Sequence, residues 1–291
     1  PTVSVIIPVY NREQTIRVAV NSVLLQSYAD FELLVIDDCS TDNTTQVVRA
    51  IEDPRLRLVL SPRNQGPAGA RNRGIREARG EFIAFLDSDD RWLPDALERM
   101  VTTLSAQADK VGVLANHYLV ENGVSTLGVR PFSEPGKRHF LKGMDFGPGS
   151  GMLVRRIIFD QIGGLDERLT RGEDWEWVIR AYQAGLDFTF LFEPVAIVER
   201  SNYTNPELIR YNDQIIFEKH SAYFEQFGEI ARRKAISHRL MLLSKQYFQK
   251  KQTWKGMAQF IKAHWLWPFH RPGLYALIAD SLLSTRLSIW A

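Results

Sequence analysis

The sequence predicts an α/β fold: a doubly wound, mostly parallel sheet followed by a C-terminal α-helical appendage. Two observations predict it. Apolar runs of strand length alternate with helix-period segments over the first ninety residues. Charge and tryptophan content then change sharply near residue 230.

The elements follow in order. Val3 to Val9 is a continuous apolar run of strand length, and Ile16, Val20, Val23 and Leu24 then recur at helical spacing. Phe31 to Ile36 is a second strand, ending in Asp37-Asp38. Ser40-Thr41-Asp42 is the cap expected before a helix that carries Val47, Val48 and Ile51. Leu56 to Leu60 is a third strand, and Pro67 to Ala78 a helix that opens on the small residues Ala68, Gly69 and Ala70. The fourth strand, Phe82 to Leu86, lies between Gly80 and Trp92-Leu93-Pro94 and ends in Asp87-Ser88-Asp89-Asp90. A βαβαβαβ series of this kind gives parallel strands joined by right-handed crossovers.

Bulk properties set bounds on the rest. The chain has 291 residues, 45% hydrophobic and 24% charged, enough for a large core. Cys39 is the single cysteine, so no intramolecular disulfide forms, and it reads as a small apolar filler beside the Asp37-Asp38 turn. The apolar start lacks a basic n-region and no run approaches the ~20 apolar residues of a membrane span, so a cytoplasmic place is expected. From residue 230 onward eleven bases face one acid, Asp280, leaving residues 1–229 at net −8. Four of the seven tryptophans (Trp254, Trp265, Trp267, Trp290) lie in this basic segment. Two domains are expected: 1–204 for nucleotide binding and chemistry, and 205–291 as a basic, Trp-rich helical region. The latter suits either peripheral contact with an anionic membrane through residues 230–291 or a merely solvated basic face. No nucleic-acid partner is expected.

Polar groups cluster at three strand ends: Tyr10-Asn11, Asp37-Asp38 and Asp87 to Asp90. Ligands of open α/β sheets bind at the carboxyl ends of strands. Crowded carboxylates repel one another, so a hard divalent cation, Mn²⁺ or Mg²⁺, is their natural partner. The Gly-x-Gly-x-x-Gly turn of a Rossmann oxidoreductase is replaced by Pro8-Val9-Tyr10-Asn11-Arg12, and no Gly-x-x-x-x-Gly-Lys-Ser/Thr loop occurs. Without a backbone cradle for phosphates, neutralisation falls to a metal at Asp87 and Asp89. Strand alternation would aim those two carboxylates the same way and Ser88 the opposite way, while Asp90 would open the next helix.

Five motifs in order resemble the family 2 glycosyltransferases of GT-A fold, a Rossmann-like architecture: Val3 to Asn11, Val35 to Asp42, Asn64 to Asn72, Phe85 to Asp90, and Gly172-Glu173-Asp174-Trp175. The resemblance covers residues 2 to about 200 and fades in the basic tail. It implies metal-dependent, inverting transfer of a sugar from a nucleoside diphosphate donor, a UDP-sugar first, to a hydroxyl of a glycan or polyprenyl-linked acceptor. By resemblance, Asp38 accepts from the donor's base, and Pro8 and Tyr10 wall that base. Asn64, Gly66 and Arg71 line the nucleotide, with Arg71 toward ribose or diphosphate. Asp89 is the direct metal ligand; Asp87 touches ribose or reaches the metal through water, and Ser88 between them is a further donor-binding candidate. Asp174 matches the general base, in the first turn of a helix where the dipole favours ionised carboxylates. Glu173, Trp175 and Arg200 are acceptor-side candidates.

One departure is notable. Where many members carry a histidine after the strand Val195 to Arg200, this chain reads Ser201-Asn202-Tyr203, and Arg200 becomes the candidate partner for diphosphate. The six histidines lack metal-ligand spacing. Arg130 to Gly151, rich in Gly and Pro, reads as a lid that orders on donor binding. A nucleotidyltransferase on a related fold and an inactive sugar-nucleotide-binding homologue are the competing readings.

Overall fold

A computed structural model describes residues 1–121, 123–128, 139–143, 149–199 and 205–269. The chain divides into two compact units, Pro1–Pro135 with Met144–Ser201, and Gly136–Gly143 with Asn202–Ala291.

The first unit is built on a nine-stranded mixed sheet. Its strands are β1 (Val3–Val9), β2 (Phe31–Asp37), β3 (Leu56–Leu60), β4 (Phe82–Phe85), β5 (Arg91–Trp92), β6 (Gly112–Glu121), β7 (Val124–Leu127), β8 (Met152–Arg155) and β9 (Phe188–Glu199). The order is β3-β2-β1-β4-β8-β6-β9-β5, with β7 paired to β6. The β3-β2-β1-β4 half is parallel throughout, as the alternating pattern predicts. Beyond β4 the sheet turns mixed: β8 is antiparallel to both β4 and β6, β5 is antiparallel to β9, and β6 and β9 are parallel. Apart from the β5–β9 pair, the antiparallel pairings involve the segment around residues 112–155, whose short runs carry no crossover-helix pattern.

The helices of this unit are α1 (Ile16–Leu24), α2 (Thr44–Arg49), α3 (Gly66–Glu77), α4 (Ala96–Ser105), α5 (Ile157–Ile162) and α6 (Glu173–Gln183). Strand alternation assigns them to two faces. Val3, Val5, Ile7 and Val9 join one core cluster with Ile16, Val20 and Val23 of α1 and Leu97 and Met100 of α4. On the other face Ile6 meets α3 so closely that a Cβ at Gly74 would lie 2.5 Å from its Cγ2. Phe85 points the same way, edge-on to Phe159, which stacks on Trp177 with ring centroids 4.8 Å apart. Helices on both faces leave the carboxyl ends of β1, β2 and β4 as the open rim.

The second unit holds the 3-10 turn His139–Lys142 with α7 (Pro206–Lys219), α8 (Ser221–Glu225), α9 (Glu229–Gln249) and α10 (Thr253–Leu266). Asn205 caps α7, its side chain accepting from the Glu207 N–H at 3.0 Å, and Pro206 sits where a missing N–H costs nothing. α9 and α10 form a tight antiparallel pair around Met241, Phe248 and Ala263. The Ser244 hydroxyl donates to the Gly256 carbonyl at 2.8 Å, and a Cβ at Gly256 would come within 2.7 Å of the Phe248 ring. Among the described residues no helix is long and apolar enough to cross a membrane.

Candidate active site

The tips of β1 and β2 are locked together before any ligand enters. Asn11, with φ 51°, donates its N–H to Ser40 Oγ at 3.0 Å and accepts from the Thr41 N–H at 2.8 Å. Cys39 adopts φ 70° and is exposed, so it is no apolar filler: the sharp turn after Asp38 turns its side chain out to solvent. Asp38 itself is buried and accepts the backbone N–H groups of Gln65 (2.9 Å) and Gly66 (2.8 Å) at the start of α3. Burial outweighs these bonds and raises its carboxyl above the usual range. Gly66 can present its N–H here because its φ is +75°, a conformation that costs a side chain about 1–2 kcal/mol. The bonds leave lone-pair capacity on Asp38 for one further donor. Pro8 is buried within β1, Tyr10 is 45% exposed at its tip, and Asn64 is exposed with its Oδ1 accepting from the Gly66 N–H.

The acidic tip of β4 departs from the strand-based expectation. β4 ends at Phe85, and the Asp90 N–H donates to the Asp87 carbonyl at 3.1 Å, so residues 87–90 form a turn. Alternation therefore does not orient these side chains. Asp87 pairs with the Arg71 guanidinium, Asp89 lies 3.8 Å from Arg12 Nε, and Ser88 is buried. Burial and the neighbouring Asp87 raise the Asp89 carboxyl. Asp90 opens no helix. It is buried, accepts from Ser150 Oγ and from the Glu199 N–H (3.0 Å), and so ties the turn to the Gly149–Gly151 segment and to the end of β9. Ser150 Oγ also accepts the Asp87 N–H at 3.0 Å, and its carbonyl accepts Trp92 Nε1.

Arg71 is buried and joins this turn to α6. Its guanidinium donates to Asp87 and to Glu173. Burial pulls the guanidinium's pKa down, but the three carboxylates Asp87, Glu173 and Asp174 more than restore it, so it stays charged. α6 starts after Gly172 (φ 76°), and Asp174 accepts from its neighbour's N–H on Trp175 (2.7 Å) and from the Gly149 N–H (3.0 Å). The helix-dipole expectation of strongly ionised carboxylates is reversed for Glu173, which burial pushes up to about 7 against the pull of Arg71. Asp174 is likewise raised, burial leading. Trp175 is buried, so its ring belongs to the interior of the unit. Arg200 lies outside the described residues, as does most of the 130–151 loop read as a lid.

Asn72, Asp90, Ser150 and Gly149 are the site's supports that sequence reasoning missed. Asn72 clamps the Leu165 backbone in both directions, at 2.9 and 2.8 Å. The Gly149-Ser150-Gly151 triplet carried a signal: a Cβ at Gly151 would lie 2.7 Å from the Ala115 carbonyl, so only glycine fits the close approach.

The donor set at the turn suits a hard divalent ion. Among the described residues no three His, Cys, Asp or Glu side chains converge as a cage. Two carboxylates on one turn, completed by phosphate oxygens and water, are the arrangement Mg²⁺ and Mn²⁺ accept.

At its open rim the mixed α/β sheet gathers a buried carboxylate, an acidic turn and a helix-borne acid, the arrangement of an α/β enzyme scaffold. Residues 4–163 match the Glycosyl transferase family 2 profile. The chain belongs to that family, and its fold is GT-A. Succinoglycan biosynthesis protein ExoO of Rhizobium meliloti (strain 1021) is 36% identical over 200 residues, 64% of this chain and 57% of that protein. UDP-Glc:alpha-D-GlcNAc-diphosphoundecaprenol beta-1,3-glucosyltransferase WfgD of Escherichia coli is 42% identical over 126 residues, covering 43% of this chain and 49% of that one. The chain thus spans about half the length of these relatives. The crystal structure of S. aureus TarS 1-349 in complex with UDP-GlcNAc superposes with a TM-score of 0.60 at 22% identity, covering 91% of this chain and 89% of that one.

Proposed function

We propose that this chain is a metal-dependent, inverting glycosyltransferase that moves a sugar from a UDP-sugar to a hydroxyl of a glycan or lipid-linked acceptor. One observation carries the reading. Asp174 is fixed by two backbone N–H groups beside the guanidinium that also holds the acidic turn, so one charge network spans the proton acceptor and the diphosphate side.

In this reading Asp174 takes the acceptor hydroxyl's proton as that oxygen bonds to the sugar's anomeric carbon and the bond to the diphosphate oxygen breaks. Its raised proton affinity suits a base. A single displacement needs no carboxylate nucleophile. Asp38 reads the base, Tyr10 and Pro8 flank it, and Gly66 lets the backbone approach the nucleotide. Asp89 and Asp87 would hold a divalent ion, which supplies charge neutralisation on the leaving diphosphate. Arg71, which pairs with Asp87, would face the diphosphate. WfgD's printed name, a glucosyltransferase of alpha-D-GlcNAc-diphosphoundecaprenol, supports a polyprenyl-diphosphate acceptor for this chain too.

A transfer and donor-hydrolysis screen over UDP-, GDP- and dTDP-sugars with Mn²⁺ tests this. Turnover of a UDP-sugar is expected from the wild type and lost in Asp174→Asn and Asp89→Ala, with UDP binding kept by Asp174→Asn. Wild-type turnover in Asp174→Asn would overturn the assignment.

A further inference from the structure

The second unit presents an apolar stripe that its own packing leaves open. Trp254, Ala258, Ile261 and Trp265 recur along α10 at helical spacing and all are exposed, Trp254 at 87%, Ile261 at 60% and Trp265 at 82%. The opposite face of the helix, through Gly256 and Ala263, is what packs on α9. Lys255 and Lys262 flank the stripe, Lys255 donating to Glu207 of α7 at 2.6 Å, and α10 itself contains no acid.

A cavity of 370 Å³ opens in the same unit, lined by Leu141, Lys142, Phe227, Ile230, Ala231 and Lys234. Four of the six lining residues are apolar and the other two are lysines. Among the described residues neither lysine pairs with an acid; Lys234 instead rests 4.2 Å above the Trp267 ring. Trp267 donates its indole N–H to the Phe269 carbonyl at 3.0 Å and meets that exposed ring edge-on. The cavity's cation is thereby joined to the end of α10, where the aromatic stripe finishes. Ile230, on the cavity's lip, is 65% exposed.

We propose that this surface docks on an anionic phospholipid bilayer: the α10 stripe enters the headgroup layer, and Lys142 and Lys234 take a lipid phosphate whose first methylenes lie against Phe227 and Ile230. Tryptophans set among lysines are suited to that layer, where the ring is apolar and its N–H stays wet. A large exposed apolar patch needs a cover. The bases not matched by an acid among the described residues, Lys262 beside the stripe and Lys142 and Lys234 at the cavity, select a negatively charged one. A cavity that sets two lysines, neither held by an acid among the described residues, beside Leu141, Phe227 and Ile230 suits an amphiphile. The proposal stands apart from the transfer chemistry, which the soluble-donor assay reads separately.

The test is co-sedimentation of the full chain with vesicles of phosphatidylcholine alone or mixed with phosphatidylglycerol, at low and high salt. Binding is expected only to the anionic vesicles and to weaken with salt. Lys142→Gln/Lys234→Gln should weaken it roughly thirtyfold, the effect of removing two basic groups near a charged surface. Trp254→Ser/Trp265→Ser should weaken it at least about tenfold. Circular dichroism and donor hydrolysis should match the wild type in both variants, and indole emission of the wild type should shift to the blue on binding. Equal binding to neutral vesicles, wild-type affinity in both variants, or tryptophans already shielded from a soluble quencher without vesicles would overturn the proposal. So would loss of self-association in the tryptophan variant with vesicle binding intact, which would make a second copy the occupant.

Discussion

Arg71 sets one positive charge among three carboxylates, and its removal leaves Glu173 buried without a partner. Arg71→Met should lower stability by about 3 kcal/mol in urea unfolding, since breaking a buried pair strands the other charge. The loss should be smaller at low pH, where Glu173 is protonated. Glu173 also makes a prediction of its own. Its folded pKa, about 7, lies above the usual 4.5, so its stabilising share is full below 4.5 and is lost as pH rises through about 7. Urea midpoints of the wild type should fall across that window, and Glu173→Gln should flatten the fall. Asp174→Asn should cut kcat by about 10²–10⁴ with little change in UDP affinity, the range a general base supplies. Its raised carboxyl should also move the acid limb of the kcat/KM profile above the ordinary carboxylate range.

At the scale of elements, β1 to β4 and the helices between them were legible because apolar period and turn residues agree there. Leu56–Leu60 is the third strand in both readings, and the α3 boundaries differ from the expected ones by one residue. The antiparallel half was not legible: apart from the local β6–β7 hairpin, its strands pair across long sequence distances that local periodicity does not encode. Asp38, Asp87 and Asp174 stand in motifs that local sequence displays, whereas the pairing of Asp90 with Ser150 is a contact 60 residues apart that it does not. The same turn explains why alternation failed for Asp87 and Asp89. α3 offers an element-scale test. Gly74→Ala forces a Cβ against Ile6, so it should cost about 1–3 kcal/mol in stability, as overpacking does, while leaving UDP affinity near wild type. Gly66→Ala meets open space and should instead lose UDP affinity through backbone strain beside Asp38, measured by calorimetry.

For the whole molecule, the division of charge is the feature that sequence and structure share: an acidic α/β unit and a basic helical one. The proposed metal dependence belongs to the acidic unit, which carries Asp87 and Asp89. Chelation with EDTA should abolish transfer, and Mn²⁺ should restore it. UDP with Mn²⁺ should raise the melting temperature more than either alone, by the mass-action term that reaches about 2.7 kcal/mol at a hundred times Kd. Equal shifts with and without the ion would rule out a shared site.

The sheet's registers also dictate when the pocket can exist during folding. Val3 lies opposite Phe82, Gly112 lies opposite Phe188, and the Glu199 N–H that Asp90 accepts is 109 residues away. Each of these closures costs loop entropy before it returns contact energy. Helices α9 and α10 need only a local hairpin. Refolding should therefore recover helical signal early and UDP binding late, and the interval between them leaves unpaired strand edges open to aggregation.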